Sequence, residues 1–177
     1  MWLEMKVKGL ALDPLSNMPI IVLRDDEEKR SLPIWVGLFE ANAIALELEK
    51  ISTPRPMTHD LIKNILEALD ARVVKVEVND LRENTFFAII HLQIGTAEIT
   101  VDSRPSDAIA LALRVAAPIF VDEEVVDKAK NVEVAKEQEL GGSKSDDQAK
   151  IKEWLDSIKP GDFGKIERGR DPNAPDD

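Results

Sequence analysis

The chain contains no cysteine, no tyrosine and few aromatic residues of any kind. Without thiols there are no disulfides and no Cys-ligated zinc, and a reducing compartment fits. Without tyrosine, and with aromatics at 5%, there is no stacking platform for single-stranded nucleic acid. Basic charge is also short: the net charge is −11 and the pI about 4.7. A passive nucleic-acid binder usually carries a basic face, because phosphate neutralisation supplies most non-specific affinity. That class is disfavoured; an enzyme acting on phosphates is disfavoured only weakly, since clustered carboxylates suit divalent ions. No apolar run approaches the roughly 20 residues that span a bilayer, and the N-terminus has no signal-peptide pattern. A cytoplasmic protein without membrane contact is expected. Glycine-rich phosphate loops, His-Glu-x-x-His, Gly-x-Ser-x-Gly and zinc spacings are missing as well.

What is there suffices for a core: 44% of the 177 residues are hydrophobic. Met5 to Leu12, Ile20 to Leu23 and Leu32 to Val36 read as strands separated by the turns "DPLSN" and "RDDEEKR". Pro33 places the third at an edge or puts the proline near its start. Leu38 to Leu48 has helical apolar spacing, and a Thr-Pro-Arg-Pro break precedes a second helix, from an N-cap at Thr58 to about Leu69. The valines from Val73 to Val78, then "TFFAIIHLQI" and "AEITVD", read as three more strands. A helix from Pro105 to Arg114, a short strand in "APIFVD" and a short acidic helix complete the body. The order predicts an α+β fold, with a mainly antiparallel sheet and helices packed on it.

Residues 1–130 are expected to form that single compact domain. Residues 131–177 are expected to be a polar extension with one amphipathic helix over about 145–158 and a disordered tail. In that stretch Ile151, Trp154, Leu155 and Ile158 share a stripe, which makes a homo-oligomer plausible.

Two helix starts carry unexplained charge. In "VDSRPSDAIALALR" a strand ends at Asp102 and a helix begins at Pro105, with Arg104 beside the N-cap and Ser106 and Asp107 in the first turn. In "TPRPMTHDLIKNIL", Arg55 precedes Thr58, His59 and Asp60. A carboxylate in a first turn answers the free N–H groups and the helix dipole, worth roughly 0.3–1 kcal/mol. An arginine there opposes the dipole, so Arg55 and Arg104 call for carboxylate partners or an external anion. Asp102 is either the partner of Arg104 or a metal ligand or general base beside Asp107. His59 meets a positive dipole end, which favours the neutral form; it is either a base or ligand or a surface residue that caps nothing. Glu40, third in its helix, either reaches back to the cap or faces Arg55 or Arg104. His91, on the less buried face of its strand, is read as non-catalytic.

The stretches "LPIWVGLFEANAIALELE", "RPMTHDLIKNILEAL", "NTFFAIIHLQ" and "VDSRPSDAIALALRVAAPIFVDEEV" closely resemble the bifunctional nuclease domain family of bacteria and plants, which is credited with cleaving both DNA and RNA. The resemblance spans roughly residues 5 to 130. The family-typical polar positions match as Glu40, Arg55, Thr58, His59, Asp60, Asp102, Arg104, Ser106 and Asp107; Ser103 stands where alanine is expected and Asp70 where glycine is frequent. The resemblance implies a nuclease that takes nucleic acid as a transient substrate, with Mg or another divalent cation and no organic cofactor. Asp102, Arg104, Asp107, Asp60, His59 and Glu40 would be catalytic. Arg55, Arg104, Ser106 and Thr58 would bind substrate, and Asp102 and Asp107 would hold the metal. The rival reading is a non-enzymatic oligomeric binding or regulatory protein whose Arg/Asp cluster is a structural salt-bridge network or a small-anion site.

Overall fold

A computed structural model describes residues 1–13 and 16–130; the expected helix over 145–158 and the tail lie outside the described residues. Alternating apolar residues give the strands β1 (Trp2–Leu12), β2 (Pro19–Asp25) and β3 (Ser31–Trp35). Helices α1 (Leu38–Leu48) and α2 (Thr58–Ala68) follow, then β4 (Ala71–Arg82), β5 (Thr85–Ile94) and β6 (Ala97–Ser103). Helix α3 (Pro105–Val115), β7 (Ile119–Asp122) and a fourth helical stretch, 123–130, end the described chain. The fold is α+β, as the element order implied.

The seven strands form one sheet in the order β3-β2-β1-β7-β4-β5-β6. All neighbours are antiparallel except β4 and β7, which run parallel with Val76 opposite Ile119 and Val78 opposite Val121. That parallel pair follows from the crossover through α3, since a strand returning beside β4 by way of a helix has room to reverse. Pro33 does sit on an edge strand, where its missing N–H breaks no ladder.

Met5, Val76, Val78, Ala88, Ile119 and Val121 line one face of the sheet, and Ile109 and Ala112 of α3 are buried in the same apolar cluster. Val125, Val126 and Ala129 of 123–130 join it. The run "AIALAL" is the reason: alanine at 108, 110 and 112 lets α3 lie close to the sheet and to α1 while its isoleucine and leucines fill the gaps. No helix among the described residues is long and apolar enough to cross a membrane.

The α2–β4 connection explains one sequence oddity. Asp70 adopts a left-handed backbone with φ 51° just after the last turn of α2. A side chain there meets its own carbonyl, and glycine does not. Asp70→Gly is expected to raise stability by about 0.5–1 kcal/mol, read as a higher urea midpoint at an unchanged m-value.

Candidate functional site

Helix α3 begins as Pro105 dictates, with the proline in the first turn and Arg104 as the N-cap residue. The N-cap of α2 is Met57 rather than the expected Thr58, which is the first helical residue and is exposed. The reason is Asp60: its Oδ2 accepts the Met57 backbone N–H at 2.9 Å, so the cap bond comes from three residues inside and needs no hydroxyl.

Those two helix starts and the first turn of α1 converge on one chain of charge-assisted bonds. Asp107 Oδ2 accepts from Arg104 Nε at 2.8 Å, and Asp107 Oδ1 lies 2.9 Å from His59 Nε2. Arg104 Nη1 also reaches Glu40 Oε1 at 2.8 Å. Glu40 thus faces Arg104, the second of the two options its position left open. An added Cβ at Gly37, the α1 N-cap, would meet the Glu40 carboxylate and displace it from Arg104. His59 is buried, Asp107 half-buried, and the Arg104 side chain remains 66% exposed despite both partners. Burial pushes the Asp107 carboxyl up, but hydrogen bonds from Arg104 and His59 outweigh it and hold the group below the ordinary 3.8.

Asp60 belongs to a different set. Its Oδ1 accepts from Arg114 Nε at 2.6 Å, while Arg114 Nη1 and Nη2 donate to the carbonyls of Ala110 and Ala43 at 2.9 and 3.0 Å. The Arg114 side chain is only 4% exposed. The sequence reading missed it, although a lone arginine in the last turn of an apolar helix was the available signal. Burial raises the Asp60 carboxyl, and the Met57 N–H and Arg114 more than reverse that, leaving it low.

The remaining residues are placed apart. Ser106 is buried in the first turn of α3. Arg55 makes no ion pair among the described residues; it lines an open cavity of about 430 Å³ with Lys50, Asp60, Asn64 and Arg114. Asp102 pairs with neither Arg104 nor Asp107. It stands opposite Ile89 and, one strand on, Glu77, so strand alternation sends it to the face away from the helices. Ser103, opposite buried Ala88, takes the helix side instead. Asp102 and Asp107 therefore do not fit one shared metal ion. Among the described residues no three His, Asp or Glu side chains form a ligand set. His91, on the same far face, bonds buried Glu77 at 2.7 Å, with Lys75 on the other carboxylate oxygen.

Comparison with known proteins agrees with this frame. The family model described as "Bifunctional nuclease domain" matches residues 21–133, and the chain belongs to that family. An uncharacterised protein of Mycobacterium tuberculosis is 41% identical over 162 residues, covering 90% of this chain and 97% of the relative. "Bifunctional nuclease 2" of Oryza sativa subsp. japonica is 31% identical over 118 residues, 64% of this chain and 36% of the relative. "Bifunctional nuclease 1" of Arabidopsis thaliana is 29% identical over 119 residues, 65% and 37% respectively.

The stability role of the second set is separable by mutation. Asp60→Ala strands a buried guanidinium without a counter-charge and is expected to cost about 3–5 kcal/mol in urea unfolding at pH 7. A carboxyl lowered in the folded state stabilises above its unfolded value of 3.8 and loses that as pH falls through its folded value. The wild-type advantage over Asp60→Ala is therefore expected to hold from neutral pH to about 5 and to shrink below about 4.

Proposed function

We propose that the chain hydrolyses phosphodiester bonds of DNA, RNA or both at the Glu40–Arg104–Asp107–His59 cluster, in the cytoplasm. The observation that carries this reading is Arg104: a guanidinium oriented by two carboxylates and still largely exposed. A guanidinium has five N–H donors. Two are spent on Glu40 and Asp107, leaving three, including the pair on Nη2, for a phosphate. Because the planar group is already fixed, little reorganisation is needed when charge builds on the phosphate oxygens.

His59 supplies the proton chemistry. Its Nε2 is held by Asp107, which fixes ring orientation and leaves Nδ1 as the nitrogen to take a proton. The His–carboxylate pairing is that of general-base dyads, here with the orienting carboxylate also gripping Arg104, the cation that would bind phosphate. Glu40 and Asp107 outnumber Arg104 by one charge, so ground-state affinity for phosphate is expected to be low and discrimination to fall on the transition state. The family membership and the names of the plant relatives support nuclease chemistry.

The rival reading, a structural salt-bridge network, has Asp60–Arg114 on its side: that pair is buried and saturated. Arg104 does not share that character. The decisive assay is cleavage of single-stranded DNA and of RNA by wild type, Arg104→Ala and Asp107→Asn, purified identically, with and without EDTA, their folds checked by circular dichroism. A fall of about 100-fold or more in both variants is expected. Folded variants that cleave at the wild-type rate sink the proposal in favour of the scaffold reading. The EDTA arm shows separately whether a divalent ion takes part.

A further inference from the structure

The two edges of the sheet are unlike. β3 carries Pro33, a standard device against strand addition. β6, at the other edge, has neither proline nor lysine, and its ladder with β5 runs from Ala97 to Ser103 without a bulge. Six of its seven residues are exposed, and among the described residues no strand pairs with its outer side. Ile99 and Val101 point to the helix side of the sheet and are nonetheless 44% and 41% exposed. A regular edge whose charges, Glu98 and Asp102, lie on one side and whose half-exposed β-branched residues lie on the other is a template for a strand that avoids opposing those charges.

We infer that β6 pairs antiparallel with β6 of a second copy, about a two-fold axis through Ile99. The occupant and register follow from charge and side-chain type. Centring the pair on Thr100 would set Glu98 directly opposite Asp102 twice, and centring it on Glu98 would oppose that carboxylate with itself; like charges in these positions repel. Centring on Val101 sets Ile99 against the polar Ser103. Centring on Ile99 puts Ile99 on its own copy and Ala97 on Val101 on the helix side. On the other side Glu98 meets Thr100. One face of the joint is then wholly apolar and the other free of like-charge pairs. The contact is self-complementary, as a two-fold interface must be. It joins two seven-stranded sheets edge to edge, with both helix layers on the same side. Such a joint is short and belongs to the weak, concentration-dependent class of interfaces. The inference is independent of the nuclease reading.

The absence of cysteine makes the test direct, because an introduced thiol has no competitor. Directly opposed residues of an antiparallel pair have Cα atoms about 4.5–5.5 Å apart, within disulfide reach. Only the residue on the axis meets its own copy. In the full-length protein, Ile99→Cys is expected to give a covalent dimer under mild oxidation, and Glu98→Cys and Thr100→Cys are not. Analytical ultracentrifugation over a wide range of concentration is expected to show a reversible monomer–dimer equilibrium for wild type. Ile99→Lys, placing two ammonium groups in opposition, should weaken it at least about tenfold while circular dichroism stays unchanged. Val101→Lys serves as a second, off-axis disruptor if Ile99→Lys is poorly folded. A monomer at every concentration overturns the inference. So does a dimer indifferent to both lysine variants, or a dimer cross-linked through Thr100→Cys in place of Ile99→Cys.

Discussion

The helix layer depends on Arg114. Its guanidinium is buried at the end of α3 and spends all three nitrogens on groups from three helices: Asp60 of α2, the Ala43 carbonyl of α1 and the Ala110 carbonyl of its own turn. A cation in a helix's last turn is favoured by the dipole, and a buried one must be fully hydrogen-bonded to be tolerated. The clamp also orients the site. Consecutive residues on a helix point about 100° apart, so once Asp60 is fixed toward the end of α3, His59 is turned toward its beginning and meets Asp107. The saturated pair is thus the frame, and the open cluster is held by it one residue away. This accounts for two carboxylate–cation sets at neighbouring positions with opposite characters, one closed and one exposed.

Much of the fold was legible because the signals were local. Strand alternation, the proline at Pro105, the edge strand marked by Pro33 and the apolar stripe of α3 each report on their immediate neighbours, and the element order followed. The cap of α2 was misplaced by one residue because the side chain that closes it lies inside the helix, where the pattern looks like dipole complementation. The charges at the helix starts were legible one by one and not in their pairings. Arg104 and Asp107, three residues apart in one turn, are a local pair and could be read from spacing. Asp60 with Arg114, 54 residues apart, could not. Asp102 shows the limit most clearly. It is two residues from Arg104, where alternation alone would keep both on one face; the break into α3 turns Arg104 to the helices while Asp102 stays on the far face, and only the register with Ile89 reveals it.

The two histidines show why contact with a carboxylate is not by itself a site. His59 on Asp107 and His91 on Glu77 have nearly equal bond lengths, and each carboxylate also holds a cation. The surroundings differ. On the far face of the sheet, Lys75 lies over the Phe120 ring at 5.9 Å and Glu77 is buried beneath it, so the charges are spent on one another. At the helix starts, Arg104 is held through Nε and Nη1 by its two carboxylates, which leaves Nη2 without a protein partner among the described residues, on a largely exposed side chain. An ion pair becomes useful for chemistry when it orients a charge without consuming it.

The overall acidity bears on the same point. At net charge −11, long-range attraction for a polyanion is lacking, so any action on nucleic acid must rest on short-range contacts that bulk charge does not describe. Screening removes most of the repulsion beyond about 8 Å at physiological ionic strength. Within that radius the local inventory governs, and at the cluster it is one oriented guanidinium, two carboxylates already bonded to it and a histidine able to take a proton. The charge that opposes loose binding of nucleic acid therefore leaves one local contact open to a phosphate oxygen, the unengaged Nη2 of Arg104.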